Sequence, residues 1–227
     1  MFWYPHPSVK PLLIACDFDG TITCRDTLHV IVESFGERGV WERLEPRLRV
    51  GEITVEQAMQ IQFAEVRATP DDVRDAVRKH APIRAGFAEW VQWCAAGGHR
   101  LVVISNGFRS IIDPVFAEVG LGGLEVVAHD AEFGRAGCRI VWSERGDRCT
   151  RCGRPCKRAP LRERWNGEHL VYVGDGISDR CVSLTADLVF ARDGLAEHLR
   201  EQNIAFTPFE DFHEVREALT DLVGAAA

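Results

Sequence analysis

The sequence predicts an α/β protein: a doubly wound parallel sheet, Rossmann-like, interrupted after its first strand by an all-helical insertion. Three observations lead there. Short apolar runs, Leu12-Leu13-Ile14-Ala15-Cys16, Leu101-Val102-Val103-Ile104 and Leu170-Val171-Tyr172-Val173, alternate with helical stretches, as strands buried on both faces and joined by crossover helices do. Each run stops abruptly in polar, glycine-bearing sequence: Asp17-Phe18-Asp19-Gly20-Thr21, Ser105-Asn106-Gly107 and Gly174-Asp175-Gly176. Residues 25 to 83, by contrast, hold helix punctuation and no convincing buried strand. The predicted division is a core of residues 12–24 and 84–227 with a helical cap over 25–83.

The first strand carries the most chemistry. Ligands of an open parallel sheet bind beyond the carboxyl ends of its strands, and here two carboxylates stand there on alternate residues. They repel each other unless a cation or a proton relay uses them. Asp17 can act as nucleophile and metal ligand. Asp19 can act as acid and then base, with its main-chain carbonyl left for a hard cation. Gly20 lets the chain turn, and Thr21 offers a hydroxyl and an amide to phosphate oxygens.

The insertion follows directly. Asp26 is placed to cap a helix over residues 27–35. Thr54 with Gln57 reads as a capping box, and Thr69-Pro70-Asp71-Asp72 as a helix start with proline at its first position. Val55, Met59 and Phe63 recur at helical spacing. An insertion that begins beside Asp17 is suited to exclude water and select a substrate.

After the cap, Ser105, Asn106 and Gly107 supply phosphate-binding groups at the second strand end, with a helix expected from Arg109. Lys157, between a cysteine cluster and a helix, can neutralise both a phosphate and the nucleophile. Asp175 adds a second hard oxygen of the kind Mg²⁺ takes, and Asp179 follows it. A helix over residues 210–223 closes the chain.

Together, Asp17-Phe18-Asp19-Gly20-Thr21, Ser105, Lys157 and Gly174-Asp175 with Asp179 resemble the four motifs of the haloacid dehalogenase-like phosphohydrolases, over residues 12 to about 190. The resemblance implies that Asp17 attacks phosphorus while Asp19 protonates the leaving alcohol and later activates water. It implies that Ser105 and Lys157 hold the phosphoryl oxygens. Asp17, the carbonyl of Asp19 and Asp175 would bind Mg²⁺, with Asp179 in or near that shell. Asp19 favours a phosphatase, since dehalogenases and ion pumps of the family lack it.

Within the family, Asp26 stands where phosphoserine phosphatases carry a glutamate that meets the substrate amine. The stretch holding their carboxylate-binding arginine offers Gln60 and Gln62 here. A carboxylate clamp wants the charged arginine fork, so phosphoserine is disfavoured. Ser178 also replaces a usual asparagine. The segments Ala186-Asp187-Leu188-Val189-Phe190-Ala191-Arg192-Asp193-Gly194-Leu195 and Asn203-Ile204-Ala205-Phe206-Thr207-Pro208-Phe209-Glu210-Asp211-Phe212 resemble the methionine-salvage branch, which dephosphorylates 2-hydroxy-3-keto-5-methylthiopentenyl-1-phosphate. Arg84-Ala85-Gly86-Phe87 and the cysteines before Lys157 extend that likeness. Met59, Phe63 and Phe35 are candidates for an apolar wall or for cap core. Phosphocholine and phosphoethanolamine phosphatases share the cysteine-rich loop and remain the alternative, together with a phosphoserine-type phosphatase and, in a different class, a non-catalytic scaffold binding zinc or a phosphometabolite.

Of the eight cysteines, Cys16, Cys94 and Cys181 fall in or beside apolar elements and read as buried thiols. Cys24 lies near the catalytic loop with no assignable partner. Cys149, Cys152 and Cys156 read as three ligands of a structural Zn²⁺, with Cys138 or His129 as the fourth. Plain reduced thiols and a redox switch acting on Lys157 are the other readings.

A net charge of −7 over 227 residues argues against nucleic acid or an anionic membrane as partner, since both call for a basic surface. The six tryptophans form no pattern of a base-stacking platform, and the histidines, His29, His80 and His213 included, show no ligand spacing. Residues 1–16 lack the basic start and apolar run of a leader, and no segment reaches the ~20 apolar residues of a membrane span. A cytoplasmic enzyme acting on a small phosphorylated metabolite is expected. Oligomeric state is not legible.

Overall fold

β1 (Leu12–Cys16) is buried at every position, as a strand bonded on both edges and covered on both faces must be. The structure is a computed structural model and describes residues 11–143, 149–153 and 156–225. The expectation about a leader over residues 1–16 lies, for its first ten residues, outside these. After β1 comes one wide turn, Phe18–Ile22, with Asp17 capping it. Four helices follow: α1 (Thr27–Phe35), α2 (Val40–Arg49), α3 (Val55–Phe63) and α4 (Pro70–His80). The chain then runs through α5 (Phe87–Ala96), β2 (Arg100–Phe108), α6 (Arg109–Glu118), β3 (Glu125–Gly134) and β4 (Gly137–Val141). α7 (Arg158–Arg164), β5 (His169–Gly174), α8 (Arg180–Ser183), β6 (Leu188–Ala191), α9 (Asp193–Glu201), β7 (Thr207–Pro208) and α10 (Phe212–Ala225) complete it.

The sheet order is β4-β3-β2-β1-β5-β6-β7. Every pairing is parallel except β3 with β4. That antiparallel edge hairpin was not foreseen from the sequence. The side-chain period of two divides β1 between two cores. Leu12, Ile14 and Cys16 pack with Phe87, Trp90, Phe116 and Phe212 of α5, α6 and α10. Leu13 and Ala15 face the other way, toward Leu161 of α7 and Val182 of α8. β1 lies between β2 and β5, with Cys16 opposite both Val103 and Val173. The polar ends of all three strands therefore meet at one edge of the sheet.

The four helices after β1 form their own apolar cluster, built on residues such as Ile31, Leu44, Met59, Phe63 and Val77. The caps read from the sequence are present: Asp26 accepts from the His29 amide, and Thr54–Gln57 and Thr69–Asp72 form reciprocal boxes. This cluster is shared with the core, because Phe108, Ile111 and Ala131 belong to it. The Phe63 and Phe108 rings meet edge to face with centroids 5.0 Å apart. Entry to and exit from the insertion are fastened side by side: Thr23 bridges Ile83, and the Cys24 amide donates to the Pro82 carbonyl at 2.8 Å.

Candidate active site

Asp17 is held where strand becomes turn. Its Oδ1 accepts from the Phe18 amide at 2.7 Å, and Lys157 Nζ reaches the same oxygen at 2.6 Å. Lys157 also meets Asp179 Oδ1 at 2.7 Å, and all three side chains are buried. Burial pulls the lysine's affinity for its proton down, but the charges of Asp17 and Asp179 outweigh it and lift it above the usual range. An isolated buried ammonium would cost far more than one paired on both sides.

Asp19 turns the other way. Thr27, the first residue of α1, donates to Asp19 Oδ1 from its hydroxyl and, at 3.2 Å, from its amide. Ser105 Oγ donates to Asp19 Oδ2 at 2.9 Å. Burial, then the neighbouring Asp26 charge, push the Asp19 carboxyl up to about 6, with the Thr27 and Ser105 bonds pulling against them. That suits a group that must both give and take a proton near neutrality. Two glycines allow the carboxylates so close. A Cβ at Gly107 would stand 2.5 Å from Asp19 Oδ2, and one at Gly20, where φ is +78°, 2.3 Å from Asp175 Oδ2. The register of β2 against β3 shifts between Ile104 and Phe108, a bulge that re-aims Ser105 to Gly107 toward the site.

Asp17, Asp19, Asn106, Gly107, Lys157 and Asp175 line one cavity of about 260 Å³, walled on the cap side by Leu48, Val55, Ala58 and Met59. Asp26, Gln62 and Ser178 also reach it, and Arg49 enters from the end of α2. Phe63 packs instead against Phe108 and Phe133. Phe35 belongs with the cap cluster, and Gln60 is exposed. Thr21, Ser105 and Asp179 are fully buried behind the cavity floor. The Thr21 hydroxyl, expected to meet phosphate, donates to Asp175 Oδ1 at 3.1 Å. The Ser105 hydroxyl is likewise turned to Asp19. Asp179 accepts from Lys157, from Tyr172 Oη at 2.6 Å and from the Asp175 and Gly176 amides at 3.0 Å each. Burial raises its proton affinity, but these partners win and hold its carboxyl below the ordinary range.

Carboxylate oxygens of Asp17, Asp175 and Asp179 lie within 4.8 Å of one another. Three carboxylates thus gather at one point, with one ammonium, Lys157, paired to two of them. Burial and the Asp179 charge push Asp175 up to about 8, and burial and Asp179 also drive Asp17 well upward. An all-oxygen donor set with surplus negative charge fits a hard divalent cation such as Mg²⁺.

Sequence reasoning missed three residues here. Thr27 was hidden in a helix start, and Tyr172 in an apolar strand. Arg84, nine-tenths buried, donates to the main-chain carbonyls of Gly20, Thr21, Thr23 and Glu210 at 2.8 to 3.2 Å; its lone basic side chain between apolar neighbours was the available signal.

The cysteines require a correction. Sulfurs of Cys149, Cys152, Cys156 and Cys181 lie within 4.8 Å of one another, whereas Cys138 is on β4 against the cap cluster. His129 Nδ1 accepts from the Ser143 amide at 3.0 Å. Neither belongs to the group. Cys181, read as a buried core thiol, does, because α8 brings it beneath the loop that precedes α7.

A buried aspartate paired with a lysine, and a second aspartate held by two hydroxyls, at the carboxyl edge of a doubly wound sheet, are the arrangement of a phosphoryl-transfer hydrolase. The haloacid dehalogenase-like hydrolase family model matches residues 14–183, and the chain belongs to that family as an enzyme of its phosphatase class. It is 31% identical over 210 residues to a 2-hydroxy-3-keto-5-methylthiopentenyl-1-phosphate phosphatase of Brevibacillus brevis, covering 91% of this chain and 94% of the relative. With a phosphatase of the same name from Geobacillus kaustophilus it shares 32% over 219 residues, 92% and 96% of the two chains. Among solved structures, a phosphoserine phosphatase with a phospho-aspartyl intermediate analogue superposes with a TM-score of 0.70 at 19% identity, over 92% of this chain and 99% of the other. That likeness concerns the fold. Phosphatases of this family generally use Mg²⁺. Among the described residues, no helix is long and apolar enough to cross a membrane.

Proposed function

We propose that the protein is a Mg²⁺-dependent phosphomonoesterase that works through an aspartyl-phosphate on Asp17, and that its substrate is 2-hydroxy-3-keto-5-methylthiopentenyl-1-phosphate. The observation that carries the chemistry is the opposed setting of the two aspartates: Asp17 paired with Lys157, Asp19 held by Thr27 and Ser105, both opening into one cavity. In this reading an Asp17 oxygen attacks phosphorus while Asp19 delivers its proton to the leaving oxygen. Asp19 then takes a proton from the water that releases phosphate. Lys157, Asn106 and the backbone around Gly107 face the phosphoryl oxygens. Asp17, Asp175 and the Asp19 carbonyl would hold the Mg²⁺, which when bound draws charge off the phosphoryl group. Asp179, its oxygens already taken by Lys157, Tyr172 and two amides, serves to aim the lysine. Residues 25–83 act as the cap over a core of 12–24 and 84–227. A structural Zn²⁺ on the cysteine cluster and a cytoplasmic, reducing location complete the reading.

The substrate assignment is supported by the two curated relatives and by the cavity wall. Leu48, Val55, Ala58 and Met59 suit a thioether tail better than an ammonium group. Arg49, the guanidinium that reaches the cavity, is paired with Glu45 at 2.7 Å, so an amino-acid carboxylate would have to displace that partner.

The test is phosphate release from the enol phosphate, phosphocholine, phosphoethanolamine and phosphoserine, with and without Mg²⁺, for the wild type and Asp17→Asn. Mg²⁺-dependent preference for the enol phosphate, with turnover of Asp17→Asn down by at least about 10³-fold, is the expected result. Preference for an amino-alcohol phosphate would overturn the substrate; an active Asp17→Asn would overturn the nucleophile.

A further inference from the structure

We infer that Cys149, Cys152, Cys156 and Cys181 form a four-thiolate Zn²⁺ site whose purpose is to fasten the Lys157 loop to the turn that carries Asp175 and Asp179. The zinc site stands on its own geometry; its effect on turnover rests on the phosphatase reading above.

Four sulfurs around one point are an unusual arrangement without a metal. Zn–S bonds of about 2.3 Å in a tetrahedron put sulfurs about 3.8 Å apart. The Cys149–Cys181 separation is 3.8 Å, and all four ligand atoms fall within 4.8 Å of one another. None of the four is in a disulfide. The first pair has the local form of a thiolate-presenting turn. In Cys149-Thr150-Arg151-Cys152-Gly153 the Gly153 amide closes the turn onto the Cys149 carbonyl at 2.8 Å. The amides of Arg151, at 3.4 Å, and Cys152 donate to Cys149 Sγ. Gly153 sits at φ +69°, where the chain can reverse without strain. Arg158 Nη1 stands 3.9 Å from the same sulfur, a cation beside a site whose four thiolates would exceed the charge of one Zn²⁺.

The second pair gives the site its consequence. Cys156 precedes Lys157 directly, and Cys181 follows Asp179 by two residues. The ion pair between Lys157 and Asp179, 2.7 Å long and fully buried, therefore lies beside the metal site, with one ligand on each of the two chain segments it joins. Between Val141 and α7 the described residues form no strand or helix, so regular structure holds Lys157 from one side alone, through the first turn of α7, where the Leu161 amide donates to the Lys157 carbonyl at 3.3 Å. A metal bridging the two segments would hold it from the other.

Metal content is the first readout, because it needs no substrate. Protein purified without an affinity tag should carry one zinc per chain. In the Co²⁺-substituted form it should show the visible bands of a tetrahedral thiolate centre. Cys181→Ser and Cys152→Ser should lower zinc occupancy by about tenfold or more, while Cys138→Ser retains it. Where a serine variant does not fold, mercurial titration of wild-type thiols should release the zinc as these four cysteines react. The positioning claim is read separately: a zinc-selective chelator should lower kcat by about 10–100-fold well below the unfolding temperature, and Zn²⁺ but not Mg²⁺ should restore it. Zinc-free wild type, or zinc retained in Cys181→Ser and lost in Cys138→Ser, would overturn the site. Zinc loss that lowers Tm while leaving kcat unchanged would overturn the coupling. Inactivity of the zinc-loaded wild type on every phosphate ester would count against the phosphatase reading alone.

Discussion

A methyl group at Gly107 has nowhere to go: Asp19 Oδ2 would be 2.5 Å away and Ser105 Oγ 3.0 Å. Gly107→Ala must push the Asp19 carboxylate off its two hydroxyl donors, so kcat should fall about 10²-fold with little change in Tm. A comparison of steady-state rates with thermal melts checks this. Lys157 behaves differently. It is the single cation set between Asp17 and Asp179, and Lys157→Met leaves two buried carboxylates facing each other. The expected cost is about 3–5 kcal/mol of stability, measured by urea denaturation, together with loss of turnover. Asp17, Asp19 and Asp175 were legible because each ends an apolar run where a strand must stop. Thr21 and Ser105 were legible as site residues but not in their partners: which oxygen a hydroxyl faces depends on backbone geometry that composition does not encode.

At the scale of elements, α1 does more than roof the cavity. Its first residue, Thr27, grips Asp19 from the cap side while Ser105 of β2 grips it from the core side. Thr27→Val keeps shape and backbone donor but removes the hydroxyl. It should cut kcat by about tenfold or more while the helix, still capped by Asp26, stays formed by circular dichroism. The cap helices themselves could be read from local signals, since N-caps and 3.6-residue spacing are decided within a few residues. The β3–β4 hairpin was not: Ala131, Phe133, Cys138 and Ile140 face the cap cluster and alternate with the exposed Glu132 and Arg139, but over so few residues on each strand that the alternation does not stand out. Cys181 was missed for a related reason. Its partners sit on a loop distant in sequence, and a short helix such as α8 carries no periodicity to show which way a thiol faces.

For the whole molecule, cap and core are not separable modules. Phe108, Ile111 and Ala131 of the core are packed in the same cluster as Met59 and Phe63 of the cap, and Thr27 reaches into the catalytic site. Excising residues 25–83 should therefore abolish hydrolysis even of a small generic ester such as p-nitrophenyl phosphate and leave an aggregating chain. Rate assays with size-exclusion chromatography decide it; a monomeric, active remnant would contradict the shared core.

The place of β1 in the sheet bears on how the chain reaches this state. β1, the first of the described strands, is the central one, and the turn after it meets Asp175 through a Thr21 bond spanning 154 residues, while Arg84 ties the same turn to Glu210 across 126. During synthesis, β1 has one edge without its native neighbour until β5 has been translated. Until then a nascent chain carries a strand with apolar side chains on both faces and unpaired N–H and C=O groups along one edge, the condition in which chaperones engage and aggregation competes with folding.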